Sequence, residues 1–97
     1  MYFLVEAETR RPATMSDAEF ADLVARETAA GAEHVSAGRL RHIWRVPGRQ
    51  ANVAIWACED ADALHAALAS LPAWPWMTIT VRPLATHPLG DRAGNGR

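Results

Sequence analysis

The feature that most constrains this chain is a capping box at Ser16-Asp17-Ala18-Glu19. At this spacing the Ser16 hydroxyl accepts from the Glu19 backbone N–H, and the Glu19 carboxylate accepts from the N–H of Ser16, so a helix starts there. Phe20, Leu23, Val24, Gly31 and Val35 follow in a helical stripe, and Gly38 supplies a C-terminal stop. The spacing predicts α1 from about Asp17 to about Ala37, a long helix for a chain of 97 residues.

Strand patterns surround it. Tyr2 to Glu8 is rich in aromatic and β-branched residues and breaks at Arg10-Arg11-Pro12, which predicts β1. Arg39 to Val46 alternates, with Leu40, His42, Trp44 and Val46 in one register and Arg41, Ile43 and Arg45 in the other, which predicts β2. Pro47-Gly48-Arg49-Gln50 reads as a turn into a returning strand, β3, from Ala51 to Cys58. Asp60 caps a second helix, α2, with Leu64, Leu68 and Leu71 on one stripe and Pro72 at its end. Met77 to Arg82 completes the set as β4. The order βαββαβ predicts an α+β, ferredoxin-like domain over residues 1–88, a four-stranded antiparallel sheet with two helices on one face. Residues 89–97 hold too little apolar surface to fold by themselves and are expected to be a flexible tail, mobile or docked on a neighbour.

Composition removes whole classes of function. Ten basic and eleven acidic residues leave a net charge of −1, which gives no field for nucleic acid or an anionic membrane. Every basic residue is Arg, so lysine Schiff bases and a P-loop lysine are excluded. Cys58 is the single cysteine, which rules out an intrachain disulfide and a Cys-rich zinc site and fits a reducing compartment. Glu6 and Glu8 interrupt the apolar start, and no apolar run approaches the ~20 residues of a membrane span. A soluble, cytoplasmic protein is the expectation. His34, His42, His65 and His87 are scattered, which supports no metal site, and no nucleotide or nucleophile-elbow motif occurs.

Several residues can carry chemistry. Glu27 lies inside the apolar stripe of α1, where lost hydration favours its protonated form and suits it to take up and return a proton; at the stripe's edge it would instead be solvated or paired with an Arg. Arg41 and Arg45 share one strand face and can clamp a carboxylate, or else charge a sheet edge. His42 and Trp44 belong to the other register, so only one of the two sets can lie beneath Glu27. His34 shares the Glu27 side of α1, as a second proton carrier or as a polar surface group. Trp74-Pro75-Trp76 is either an aromatic lid or a rigid connector. Because β2 and β3 carry Ile43, Trp44, Ile55 and Trp56 in both registers while helices cover one face, a homo-oligomer is expected.

With these residues assembled, the chain resembles the muconolactone Δ-isomerases. The resemblance rests on Met1-Tyr2-Phe3, Pro12 before Met15, Glu27, and above all Arg41-His42-Ile43-Trp44-Arg45-Val46 followed by Gly48 and Ala51-Asn52. Ala63-Leu64-His65, Leu71-Pro72, Pro75, Met77 and His87-Pro88 continue it without a gap. Departures fall at Leu4, Leu40, Arg49-Gln50 and the Trp74-Pro75-Trp76 segment, and they keep an isomerase or cyclase of another lactone or polyketide-like enone as the alternative. A cofactor-free α/β-barrel monooxygenase is the rival on the same fold.

The resemblance implies a cofactor-free isomerase that moves the C=C bond of an unsaturated lactone by a 1,3-proton shift. Glu27 would be the shuttle base and Arg41 or Arg45 the carboxylate clamp. His42 and Asn52 would donate to the lactone oxygen, with Trp44, Trp74 and Trp76 against the substrate. Family members assemble into large rings, typically decamers, with active sites near subunit contacts.

Overall fold

The computed structural model describes residues 1–95. Its elements are β1 (Tyr2–Thr9), α1 (Asp17–Ser36), β2 (Leu40–Arg45), β3 (Ala51–Ala57), α2 (Ala61–Ala69), a 3-10 turn at Trp74–Trp76, and β4 (Met77–Leu84). The strands form one antiparallel sheet in the order β2-β3-β1-β4, and the fold is the ferredoxin-like one that the element order predicts. Both helix starts form as the sequence specifies. Ser16 and Glu19 close the capping box in both directions, and the Asp60 carboxylate accepts from the Ala63 N–H at 2.8 Å. Gly38 takes φ +77 just past α1, a conformation open to glycine at little steric cost. β4 runs two residues further than the alternation suggests, through Pro83, which an edge strand accommodates because one side of its backbone needs no partner.

The two helices meet the sheet unequally. Leu64, Ala67 and Leu68 of α2 join Phe3, Val5, Leu40, Ala54, Trp56, Cys58 and Leu71 in the close-packed core. α1 has more than twice the length of α2 yet buries only Leu23 and His34. Val24 and Val35 of its apolar stripe remain 43% and 54% exposed.

Register decides which side chains lie under α1. Phe3 pairs with Trp56, Val5 with Ala54 and Ala7 with Asn52, so Asn52 shares the helix-covered face with buried core residues. In β2 the strict alternation read from the sequence fails. Leu40 pairs with Trp56, but the next pair is His42 with Ile55, and Arg41 is left over as a β-bulge. Leu40 therefore shares its face with Ile43 and Arg45, opposite Ala54 and Asn52, while His42 and Trp44 turn to the uncovered face beside Ile55 and Val53. The tail makes local turns as far as Asn95, held by bonds such as Gly90 N–H to His87 O at 2.9 Å and Asn95 N–H to Gly90 O at 3.0 Å. Gly96 and Arg97, the end of the predicted flexible tail, lie outside the described residues.

Candidate active site

Because α1 stands off the sheet, a cleft of about 550 Å³ opens between them. Its walls are apolar, with Phe20, Leu23 and Val24 above and Ile43, Trp56, Met77 and Ile79 among the residues below. Polar groups enter it at a few points. α1 supplies Glu27 and Thr28, and the β2–β3 hairpin supplies Arg45, Gln50 and Asn52, with Thr9 beside them. An apolar cleft with a few convergent polar groups is the usual form of a small-molecule site.

Glu27 is half-buried, and its Oε1 accepts from the backbone N–H of Ala73 at 2.8 Å. Ala73 is 3% exposed, so this contact is shielded from water. The alternative of an Arg-paired carboxylate is not what forms. Among the described residues the ion pairs are Arg11–Asp17, Arg26–Asp22 and Arg49–Glu8, and neither Glu27 nor Arg45 enters one. Oε2 of Glu27 and the Arg45 guanidinium are thus uncommitted among those residues. Arg49, by contrast, is held firmly protonated by its hydrogen bonds to Glu8.

The sequence-predicted residues separate into two groups. Glu27, Arg45, Asn52 and, at the rim, Trp44 line the cleft. Arg41 sits exposed at the bulge, outside it. His42 is on the opposite face of the sheet, its ring stacked on Trp44 with centroids 5.8 Å apart and planes 8° from parallel. Trp74 and Trp76 are absent from the lining, and Trp74 is 40% exposed and packs edge-on against His65. Their segment behaves as a connector, with the Trp74 N–H on Leu71 O and the Trp76 N–H on Ala73 O.

His34 is the correction of most consequence. It is neither a surface group nor in the cleft: it is 7% exposed, with Nδ1 accepting from Arg39 Nε at 2.8 Å and Nε2 at 3.3 Å from Ser70 Oγ. Burial, and secondarily the Arg39 charge, hold its pKa below the ordinary 6.5, against a weaker pull from Glu33. Sequence reading also missed the Ala73 amide, which has no side-chain signature, and the hydroxyls of Thr9 at the end of β1 and Thr28 on α1.

A ferredoxin-like sheet with a carboxylate on the overlying helix and a cation and an amide on the floor defines a small α+β domain equipped for acid–base chemistry. The family model for muconolactone delta-isomerase matches residues 1–89. The muconolactone Δ-isomerase of Cupriavidus pinatubonensis is 38% identical over 92 residues, covering 95% of this chain and all of the relative. That of Acinetobacter baylyi is 34% identical, covering 95% and 96%. A crystal structure of muconolactone isomerase superposes with a TM-score of 0.84 at 34% identity, covering 91% of this chain and 92% of that one. The chain belongs to the muconolactone Δ-isomerase family and is an isomerase. No helix among the described residues is long and apolar enough to cross a membrane.

Proposed function

We propose that this isomerase acts on an unsaturated γ-lactone bearing a carboxymethyl arm, converting muconolactone into the 3-oxoadipate enol-lactone by a 1,3-proton shift. The observation that carries the reading is the juxtaposition of Glu27, Arg45 and Asn52 in one cleft. Glu27 takes a proton from the ring carbon vinylogous to the lactone carbonyl. The released electron pair delocalises through the C=C bond onto the carbonyl oxygen as a dienolate, and the glutamic acid returns the proton to the other end of the allylic system. Fixing Oε1 on the Ala73 amide leaves Oε2 to do this from one position. Asn52 donates to the developing oxyanion, and Arg45 clamps the carboxylate. The apolar walls exclude water that would otherwise quench the dienolate.

The same reading includes a homo-oligomer, of the size of a decamer. Ile43 and Trp44 are 51% and 58% exposed at the cleft's rim, and the uncovered sheet face offers Leu4, Val53 and Ile55 only half-buried. A second copy covering these groups removes apolar area from water and brings the His42–Trp44 stack and Arg41 into a subunit contact. With its single thiol, Cys58, buried, the protein suits the cytoplasm. The test is proton NMR of muconolactone with the protein in D2O. Conversion to the enol-lactone with deuterium entering at the reprotonated carbon is expected, and no conversion above buffer ends the reading.

A further inference from the structure

Glu27 owes its position to a turn that is itself held from below. The Ala73 N–H that grips the carboxylate closes the short connection after α2, where the Leu71 N–H donates to Leu68 O at 3.1 Å and Leu71 and Ala73 are both buried. The connection starts at Ser70, the C-cap of α2, and His34 lies against Ser70. An Arg nitrogen can only donate, so the Arg39 contact makes His34 Nδ1 an acceptor and the ring neutral. The remaining proton is on Nε2 and is donated to Ser70 Oγ, whose own hydroxyl donates to Ala67 O at 2.6 Å. One chain of hydrogen bonds thus runs Arg39, His34, Ser70, Ala67, with every donor directed the same way.

We propose that His34 is a positioning residue for Glu27: in its neutral form it anchors Ser70, and through the Ser70–Ala73 turn it keeps the Ala73 N–H on the Glu27 carboxylate. The inference rests on the reading of Glu27 as the proton shuttle. Protonation at Nδ1 sets a second donor and a second positive charge against Arg39 Nε, and the contact opens. The groups facing the ring from the neighbouring elements are Arg39 before β2, Ser70 after α2 and the edge of Trp56 on β3, 5.1 Å away. Glu33 on α1 opposes the shift, and Cys58, also near Arg39, is kept neutral because burial pushes its thiol up. Acidification therefore loosens the turn, and turnover falls on an acid limb to which His34 contributes.

The donor and acceptor pattern of neutral His34 can be copied without a titrating group. In His34→Gln the amide oxygen accepts from Arg39 and the amide nitrogen donates to Ser70, whereas His34→Leu fills the space and makes neither bond. His34→Leu and Ser70→Ala are each expected to lower kcat about 3- to 10-fold at neutral pH with KM little changed, the cost of one lost hydrogen bond. The double variant should lose no more than either single one. His34→Gln keeps kcat and loses the His34 part of the acid limb. Amide hydrogen exchange at Ala73, read by NMR without substrate, should quicken in His34→Leu and Ser70→Ala and stay slow in His34→Gln. Unchanged Ala73 exchange in His34→Leu overturns the proposal whatever the turnover does, and so does an acid limb that survives intact in His34→Gln. A failed reading of Glu27 as the shuttle leaves Ala73 exchange untouched and appears instead as normal turnover by Glu27→Gln.

Discussion

The two helices lie on the same face of one sheet, yet they do opposite work. α2 is nine residues long and places Leu64, Ala67 and Leu68 in the core; α1 is twenty residues long and places one apolar side chain, Leu23, fully inside. The difference follows from side-chain size and spacing. Leu64 and Leu68 of α2, with Ala67 between them, fill the space against the strands, while Phe20, Val24 and Glu27 on α1 meet a floor already occupied by Trp56, Ile43 and Arg45, and the helix rides above it. Close packing on one side folds the chain, and imperfect packing on the other leaves room for a ligand.

The sharpest way to break this division is to cut each side at its centre. Glu27→Gln keeps shape and removes the base, so turnover should fall roughly 10²- to 10⁴-fold with the melting temperature unmoved. Leu64→Ala should do the reverse, costing about 2–5 kcal/mol in denaturant unfolding while the kcat of the folded fraction stays near wild type. Near-normal turnover by Glu27→Gln removes it as the shuttle. Next in size is the clamp. Arg45→Met should raise KM for the acid substrate about 10- to 150-fold, equivalent to about 1.5–3 kcal/mol, and raise it far less for the methyl ester, which lacks the charge. Arg41→Met, outside the cleft, should move it less. Equal losses for acid and ester would make Arg45 a structural residue.

A smaller effect separates the helices by stability alone. A Cβ built at Gly31, on the cleft side of α1, meets nothing within 4 Å. Gly31→Ala should therefore stabilise the protein by about 0.4–1 kcal/mol, read as a shift in the denaturation midpoint, because the unfolded chain loses freedom and the folded one meets no clash. Destabilisation would mean that α1 closes onto the sheet in solution. His34 adds a pH term. Its folded pKa lies below the ordinary 6.5, so the stability it contributes is complete above about pH 6.5 and is lost as pH falls through the lower folded value, where the unfolded state binds the extra proton. His34→Gln should flatten that part of the stability profile.

The elements were legible because their signals are local. Ser16 and Glu19, Asp60 and Gly38 mark their boundaries within a few residues, and the strands follow from alternation. Glu27 was legible for the same reason, as a carboxylate inside an apolar stripe. What the sequence hid depends on contacts across the fold. His34 looks like a helix-end surface group until Ser70 arrives from 36 residues away, and the Ala73 amide carries no residue type to read. Trp74 and Trp76 suggest a lid by composition, but the backbone bonds of the 71–76 turns place them away from the cleft. The faces of β2 were hidden by a bulge that alternation cannot reveal.

That bulge has a consequence for how the site tolerates change. A perfectly regular β2 faces a conflict: with Leu40 in the core, His42 and Trp44 fall beneath Glu27, and with Arg45 beneath Glu27, Leu40 turns outward to water. One surplus residue, Arg41, lets the strand satisfy the core at its start and the ligand at its end. The polarity of the floor is therefore set by a count of residues as much as by their identity. Deleting Arg41 would leave a regular strand with Leu40, Ile43 and Arg45 still on the helix-covered face, whereas inserting one residue between Arg41 and His42, with the bulge kept at Arg41, would turn His42 and Trp44 onto that face and Arg45 away from it, so this strand can acquire a different ligand preference by a change in length.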